Sequence, residues 1–236
     1  MPAIPLLLLT AAVWSAPARP PVPGCAVKPA VRVIRILSGT KGTGFKILWR
    51  GRELVATNQH VVEGETLVQA VDESGGRAVL RYLTGFESPE QAPEIPASGY
   101  YSDWAVLEIV EGALDATPLS LSDAAGVHTG PAYGRGFPAG ELTEYDMVVH
   151  AFEARLLAAQ GARTMWFGSS GSPILDCSGR VVAANFGTCR EPRCLSHAQP
   201  VWFSPEPAPG VDGLMQNRLT PVQALRALLA GLPGGF

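Results

Sequence analysis

The sequence predicts an all-β fold, two blocks of short strands followed by one helix, and three observations carry that expectation. Gly 26 and Pro 21 in a chain of 236 residues supply turn formers at a density suited to many short strands rather than a helical bundle. Short apolar runs recur along the chain, divided by Arg50-Gly51, Glu63-Gly64 and Ser74-Gly75-Gly76. Complete helix punctuation occurs near the end. Thr220 suits an N-cap, Pro221 the first turn and Gly231 a stop, with Val222, Leu225, Leu228 and Leu229 as an apolar stripe.

The elements follow in order. Strands are expected at 31–37, 45–49, 54–57, 67–71, 79–83 and 104–110. In the second of these Phe45, Ile47 and Trp49 alternate with Lys46 and Leu48, the period-2 pattern of a strand with one buried face. A long loop carrying Pro89, Pro93, Pro96, Glu87, Glu90 and Glu94 separates the last two; such loops in compact domains are usually functional or mobile. The second block reads as strands at 147–157, 163–167, 173–175, 180–186 and 201–204, with a helix over 153–159 as the alternative. The helix closes the chain at about 220–230.

Composition narrows the function. Apolar residues at 47% with charged residues at 17% exclude intrinsic disorder. The net charge of −3 provides no basic field, so no nucleic-acid partner is expected. The apolar run 4–14 is shorter than the ~20 residues of a spanning helix and fits the core of a secretory signal cut after Ser15, although no Lys or Arg precedes it. Residues 1–15 therefore read as a signal peptide and 16–30 as a Pro/Ala-rich leader. The expected destination is secreted or periplasmic, with no stable membrane span. Four cysteines suit disulfides in such a protein, pairing Cys189 with Cys194 and Cys25 with Cys177; lipid modification of Cys25 is the alternative for that residue.

Three segments carry chemistry. Thr57-Asn58-Gln59-His60 puts a histidine where an apolar strand meets a loop, after Gly42-Thr43-Gly44-Phe45. Asp103 stands at the head of the apolar run Trp104-Ala105-Val106-Leu107. In Gly168-Ser169-Ser170-Gly171-Ser172-Pro173, glycines frame a serine. Each alone reads as well as a structural histidine, a capping aspartate or a Gly/Ser loop. Their order, His60, Asp103, Ser170, resembles that of the trypsin-like (chymotrypsin-fold) serine proteases, and the motif forms are most similar to the bacterial Deg-type and glutamyl-endopeptidase branches.

That resemblance implies two six-stranded antiparallel β-barrels with a C-terminal helix. Barrel one would span about 31–115 and barrel two about 128–216, within a peptidase domain over 31–236. It implies a Ser-His-Asp triad, backbone N–H groups of Gly168 and Ser170 as an oxyanion hole, and an acyl-enzyme intermediate. Thr164, Asn185, Phe186 and Gly187 would contact peptide substrates. Thr164 and Asn185 are neutral, which favours cleavage after small or medium uncharged residues, unless Arg163 or Arg190 reaches in and favours an acidic one. Neither cofactor nor metal is implied. Gln59, Ser172 and the lack of an Ile-Val-Gly-Gly start depart from the commoner family forms. Two other readings stand beside this one: an inactive homologue that binds peptides without cutting, and a metal module built on Cys177, Cys189, Cys194 and His197.

Overall fold

The structure, a computed structural model, describes residues 24–86, 103–152, 155–160, 168–189 and 216–233. Six strands form a first closed barrel: β1 (Ile34–Ile36), β2 (Gly42–Trp49), β3 (Arg52–Thr57), β4 (Leu67–Asp72), β5 (Arg77–Gly85) and β6 (Ala105–Gly112). Their order around the barrel is β1-β2-β3-β6-β5-β4, and every pairing is antiparallel. The turn between β2 and β3 shows why sequence dictates this geometry. Arg50 and Gly51 both have positive φ, at 50° and 79°, the two-residue turn whose twist matches that of paired strands.

The second barrel repeats the plan with β7 (Gly130–Gly136), β8 (Thr143–Phe152), β9 (Arg155–Gln160), β10 (Pro173–Asp176), β11 (Val181–Cys189) and β12 (Gln216–Pro221), ordered β10-β11-β12-β9-β8-β7. Helix α1 (Gln59–Val62) follows β3, and α2 (Val222–Ala230) follows β12. Closure matters physically, because a closed barrel leaves no sheet edge with unpaired backbone groups.

Among the described residues three apolar clusters form the core. Ile34, Ile36, Val55, Leu80 and Leu107 pack inside barrel one; Tyr145, Met147, Ile174, Val182 and Leu219 pack in barrel two. The third cluster joins Phe45, Trp104, Tyr133, Leu175 and Val181 to Val222, Leu225 and Leu229 of α2. Each fully buried side chain of this size contributes ~1.5–3 kcal/mol. Trp104 is wholly buried, stands edge-on to Phe45 with centroids 6.1 Å apart, and donates its indole N–H to Pro221 O at 3.1 Å. The final helix therefore props the residue next to Asp103.

The N-terminal arm crosses barrel two before entering barrel one. Cys25 is disulfide-bonded to Cys177 with Cα atoms 5.2 Å apart. Lys28 ion-pairs Asp146 at 2.8 Å, and that carboxylate raises the pKa of the lysine. Tyr133 donates its hydroxyl to Pro29 O at 2.9 Å, and burial pushes its pKa up to about 12.

Two strands were not visible in the sequence. β7 reads Gly-Pro-Ala-Tyr-Gly-Arg-Gly and β12 reads Gln-Asn-Arg-Leu-Thr-Pro; neither alternates cleanly, and their registers come from neighbours on both sides. The run expected as one strand over 147–157 is divided between β8 and β9. The helical alternative over 153–159 is corrected, since 155–160 pairs with both β8 and β12. The expected cap is also displaced: Thr220 still pairs with Ala184 inside β12, Pro221 is the N-cap, and α2 begins at Val222. Gly231 is the C-cap, its N–H donated to the last-turn carbonyls. Residues 1–23, the strands expected at 163–167 and 201–204, and most of the loop between β5 and β6 lie outside the described residues.

Candidate active site

The site is assembled where the two barrels meet. Asn58 ends the extended run of β3, and one short turn, α1, presents His60. Asp103 stands two residues before β6. β3 and β6 are adjacent, with Thr57 opposite Ala105, so the ends of the two strands bring His60 and Asp103 together. Asp103 Oδ2 lies 2.5 Å from His60 Nδ1, and Asp103 Oδ1 accepts the backbone N–H of His60 at 3.0 Å. A carboxylate can only accept, so in the neutral imidazole the ring proton sits on Nδ1 and the lone pair on Nε2. Asn58 Nδ2 donates to Asp103 O at 2.6 Å and fixes the backbone that carries the acid. The His60 side chain is a third exposed and that of Asp103 is 14% exposed, which suits a base reachable by substrate and an acid shielded from water.

The serine loop is held through its backbone. Gly168 and Gly171 have φ of 93° and 81°, the region where a side chain is strained. A Cβ at Gly168 would meet Phe137 O at 2.5 Å, and one at Gly171 would collide with Thr43 O and Thr57 Oγ1. Ser170 between them is half-buried. Thr43 N donates to Ser170 O at 2.7 Å, Gly171 N to Asn185 O at 2.8 Å, and Ser172 N to Ser169 O at 2.9 Å. Thr43 Oγ1 donates to Gly168 O at 2.8 Å and accepts the N–H of Phe137 at 3.0 Å. Both of its hydrogen-bonding directions are thereby fixed, since the carbonyl only accepts and the amide only donates.

Of the residues expected to meet substrate, Asn185 and Phe186 lie on β11. Asn185 is 1% exposed; its amide donates to Ser169 Oγ at 3.1 Å behind the serine loop. Phe186 is half-buried and stands edge-on to His60 with ring centroids 5.8 Å apart. The backbone of Gly187 continues β11 opposite Arg218. Thr164, Cys194, His197, Arg163 and Arg190 lie outside the described residues, as does the partner side of the expected Cys189–Cys194 pair. The expected Cys25–Cys177 bridge is present. The sequence assigned no role to Thr43, Asn58 or Ser169; the Gly-Thr-Gly and Thr-Asn-x-His motifs contained the first two, but nothing in them told that the Thr43 hydroxyl would reach Gly168 on the other barrel or that the Asn58 amide would hold Asp103 O. Among the described residues no group of three or more His, Cys, Asp or Glu could hold a metal ion, and no helix is long and apolar enough to cross a membrane.

Two closed antiparallel barrels meeting at a carboxylate-gripped histidine and a glycine-framed serine define a chymotrypsin-fold protease. The trypsin-like peptidase domain model matches residues 42–183, more than half of the chain, and the protein belongs to that family. Among solved structures it is similar to Rv3671c protease in its inactive form, with 20% identity and a TM-score of 0.54 over 86% of this chain and 89% of that one. It is equally similar to a serine-to-alanine mutant of Rv3671c from M. tuberculosis H37Rv, also an inactive form, at 20% identity and a TM-score of 0.54 over 93% and 99% of the two chains. No curated protein matches the chain significantly.

Proposed function

We propose that the protein is an exported serine endopeptidase that cuts peptide bonds through His60, Asp103 and Ser170. The observation that carries this reading is the double grip of Asp103 on His60, at ring Nδ1 and at the backbone N–H. In that arrangement Nε2 takes the Ser170 hydroxyl proton as Oγ attacks the scissile carbonyl, and Asp103 stabilises the imidazolium that forms. The N–H groups of Gly168 and Ser170 receive the oxyanion, each worth ~3–4 kcal/mol in comparable sites. His60 then returns the proton to the leaving amine, and water repeats the sequence on the acyl-enzyme. The resemblance to trypsin-like proteases supports contact of Thr164, Asn185, Phe186 and Gly187 with the segment before the cut. With no charged residue among these four, small or medium uncharged residues are favoured there.

Export is supported by the apolar run 4–14 and by the Cys25–Cys177 bridge, since disulfides persist in oxidising compartments. Labelling with an active-site fluorophosphonate tests the catalytic reading. The expected result is one label, mapped to Ser170 and absent from Ser170→Ala, with no detectable change in thermal melting for that variant. A correctly folded protein that takes no label and cleaves no peptide in a broad library is instead a peptide-binding homologue.

A further inference from the structure

Beside the serine loop lies a cavity of about 260 Å³, lined by Arg35, Thr40, Lys41, Gly42, Phe137, Ala139, Gly140 and Gly168. Its two ionisable walls are both cationic. Arg35 comes from β1, where Ile34 and Ile36 face the barrel interior and Arg35 faces out. It is half-buried, and among the described residues neither its guanidinium nor the Lys41 ammonium makes a hydrogen bond or ion pair. Its setting differs from that of the other partly buried arginines. Arg52 pairs with Glu108, Arg135 with Glu73, and Arg226 donates to Ser122 O. A guanidinium with five donors, partly removed from water and without an acceptor, suits a planar anion from outside.

The backbone gives a second, independent indication. Among the described residues three non-glycine residues have positive φ. Arg50 belongs to the tight β2–β3 turn, but Lys41, at 47°, and Ala139, at 52°, both line this cavity. Such conformations persist where the surroundings hold them, and they concentrate at ligand sites. Gly140, with φ of 87°, lies directly against the arginine; a Cβ there would come within 2.9 Å of Arg35 Nη2. Glu141, the next residue, is exposed and pairs with neither cation.

We infer that this cavity binds a carboxylate of the substrate, one to three residues beyond the scissile bond. The inference rests on the peptidase reading for its direction. With the segment before the cut along β11 and Phe186, the segment after it is left the opposite wall, which Thr40, Lys41, Gly42 and the Phe137–Gly140 turn provide. An extended chain advances ~3.3 Å per residue, so only the first few residues after the bond reach it. The carboxylate is that of an Asp or Glu side chain or of a peptide C-terminus; both present the same fork to Arg35.

The test uses fluorogenic peptides identical up to the cut. Those carrying Glu at each of the first three following positions, with amidated ends, are compared with Gln counterparts bearing either an amidated or a free carboxyl end. At least one carboxylate-bearing peptide should be cleaved with about tenfold higher kcat/KM than the amidated Gln peptide, and the difference should shrink as salt rises. Glu-peptide preference assigns the side chain and free-end preference the terminus. In Arg35→Gln combined with Lys41→Asn the ratio should fall to near one. The same peptides are titrated by fluorescence anisotropy against Ser170→Ala protein, which needs no turnover. Equal binding and equal cleavage of charged and neutral peptides overturn the cavity's role and leave the peptidase reading standing. Selective binding by a chain that takes no fluorophosphonate overturns the peptidase reading and keeps the carboxylate site.

Discussion

The two halves of the site are held by different means. On the first barrel side chains do the work: the Asp103 carboxylate grips His60 twice, and the Asn58 amide holds the carbonyl of Asp103. On the second barrel the serine is held almost wholly by backbone, through Thr43 N to Ser170 O, Gly171 N to Asn185 O and Ser172 N to Ser169 O, with Thr43 Oγ1 and the Asn185 amide as the side-chain contributions. A base needs a charged partner to set its tautomer. An oxyanion hole needs peptide N–H groups aimed at one point, and only backbone geometry aims them. Substitutions at Asp103 or Asn58 should therefore change proton transfer, and those among the partners of the serine loop the stabilisation of the oxyanion.

The largest effect expected in breaking that division is from Asp103→Asn. It keeps the size of the acid but can present an N–H to Nδ1 and so favour the wrong tautomer. Turnover should fall by ~10⁴-fold, as in related triads, with KM little changed. A loss under tenfold, measured with a fluorogenic peptide, would show that His60 does not depend on this grip.

Next is the covalent tie of the arm to barrel two. Cys25→Ser with Cys177→Ser opens a link between residues separated by 152 positions. The chain-entropy model gives an upper figure of about 5 kcal/mol for so long a loop, and natural bridges of this kind contribute ~2–5 kcal/mol. Melting should drop by roughly 4–20 °C in a chain of this size. Fluorophosphonate reactivity per folded molecule should persist, since neither cysteine touches the site; its loss would place the arm within the catalytic support.

Thr43→Val sharpens the comparison further. It preserves shape, removes the bond to Gly168 O, and leaves the Phe137 N–H without its acceptor. Because the hydroxyl acts on the oxyanion loop through one peptide, kcat should fall ~10–100-fold, below the ~10²–10³ of deleting an oxyanion donor. KM should hold, and Thr43→Ser should restore the rate. A fall that Ser does not rescue, or one confined to KM, would mean that Thr43 acts by packing.

The smallest effect is in acid. Burial pushes the Asp176 carboxyl up, but the Ser178 hydroxyl, the N–H groups of Arg180 and Ser178, and the Arg180 side chain outweigh it and hold its pKa below the ordinary value. A depressed folded pKa contributes stability that is complete above the unfolded carboxylate value, ~3.9, and is lost as pH falls through the lower folded value. Asp176→Asn should flatten the acid limb of a melting-temperature profile below pH 4. An unchanged limb would assign acid sensitivity to other carboxylates.

The asymmetry between the halves also explains what was legible in the sequence. His60, Asp103 and the glycines around Ser170 are residue types chosen for chemistry or for φ, and both kinds of choice leave marks in a sequence. Strands with one buried face, such as β2 with Phe45 and Ile47, were legible through alternation. β7 and β12 were not, because their glycines, prolines and polar residues take their register from the strands paired on both sides of them. Asn185 is expected from the resemblance to meet substrate; that its amide donates to Ser169 Oγ is decided by packing that no local pattern records. Thr43 was hidden for a related reason. Its role depends on a contact with Gly168, 125 positions away.

The arm that carries Cys25 has a consequence in time. At the usual pace of synthesis, about 5–20 residues per second, Cys177 is made roughly 8–30 s after Cys25, given the 152 positions between them. Throughout that interval the early thiol has no native partner, and the surface that Pro29 and Lys28 rest on does not yet exist. The arm can settle only on a barrel two whose β7, β8 and the turn after β10 are in place, because Tyr133, Asp146 and Cys177 come from those elements. Closure of this bridge thus registers the assembly of β7, β8 and the turn after β10, and an oxidant that reaches Cys25 too soon would fix the chain before its landing site has formed.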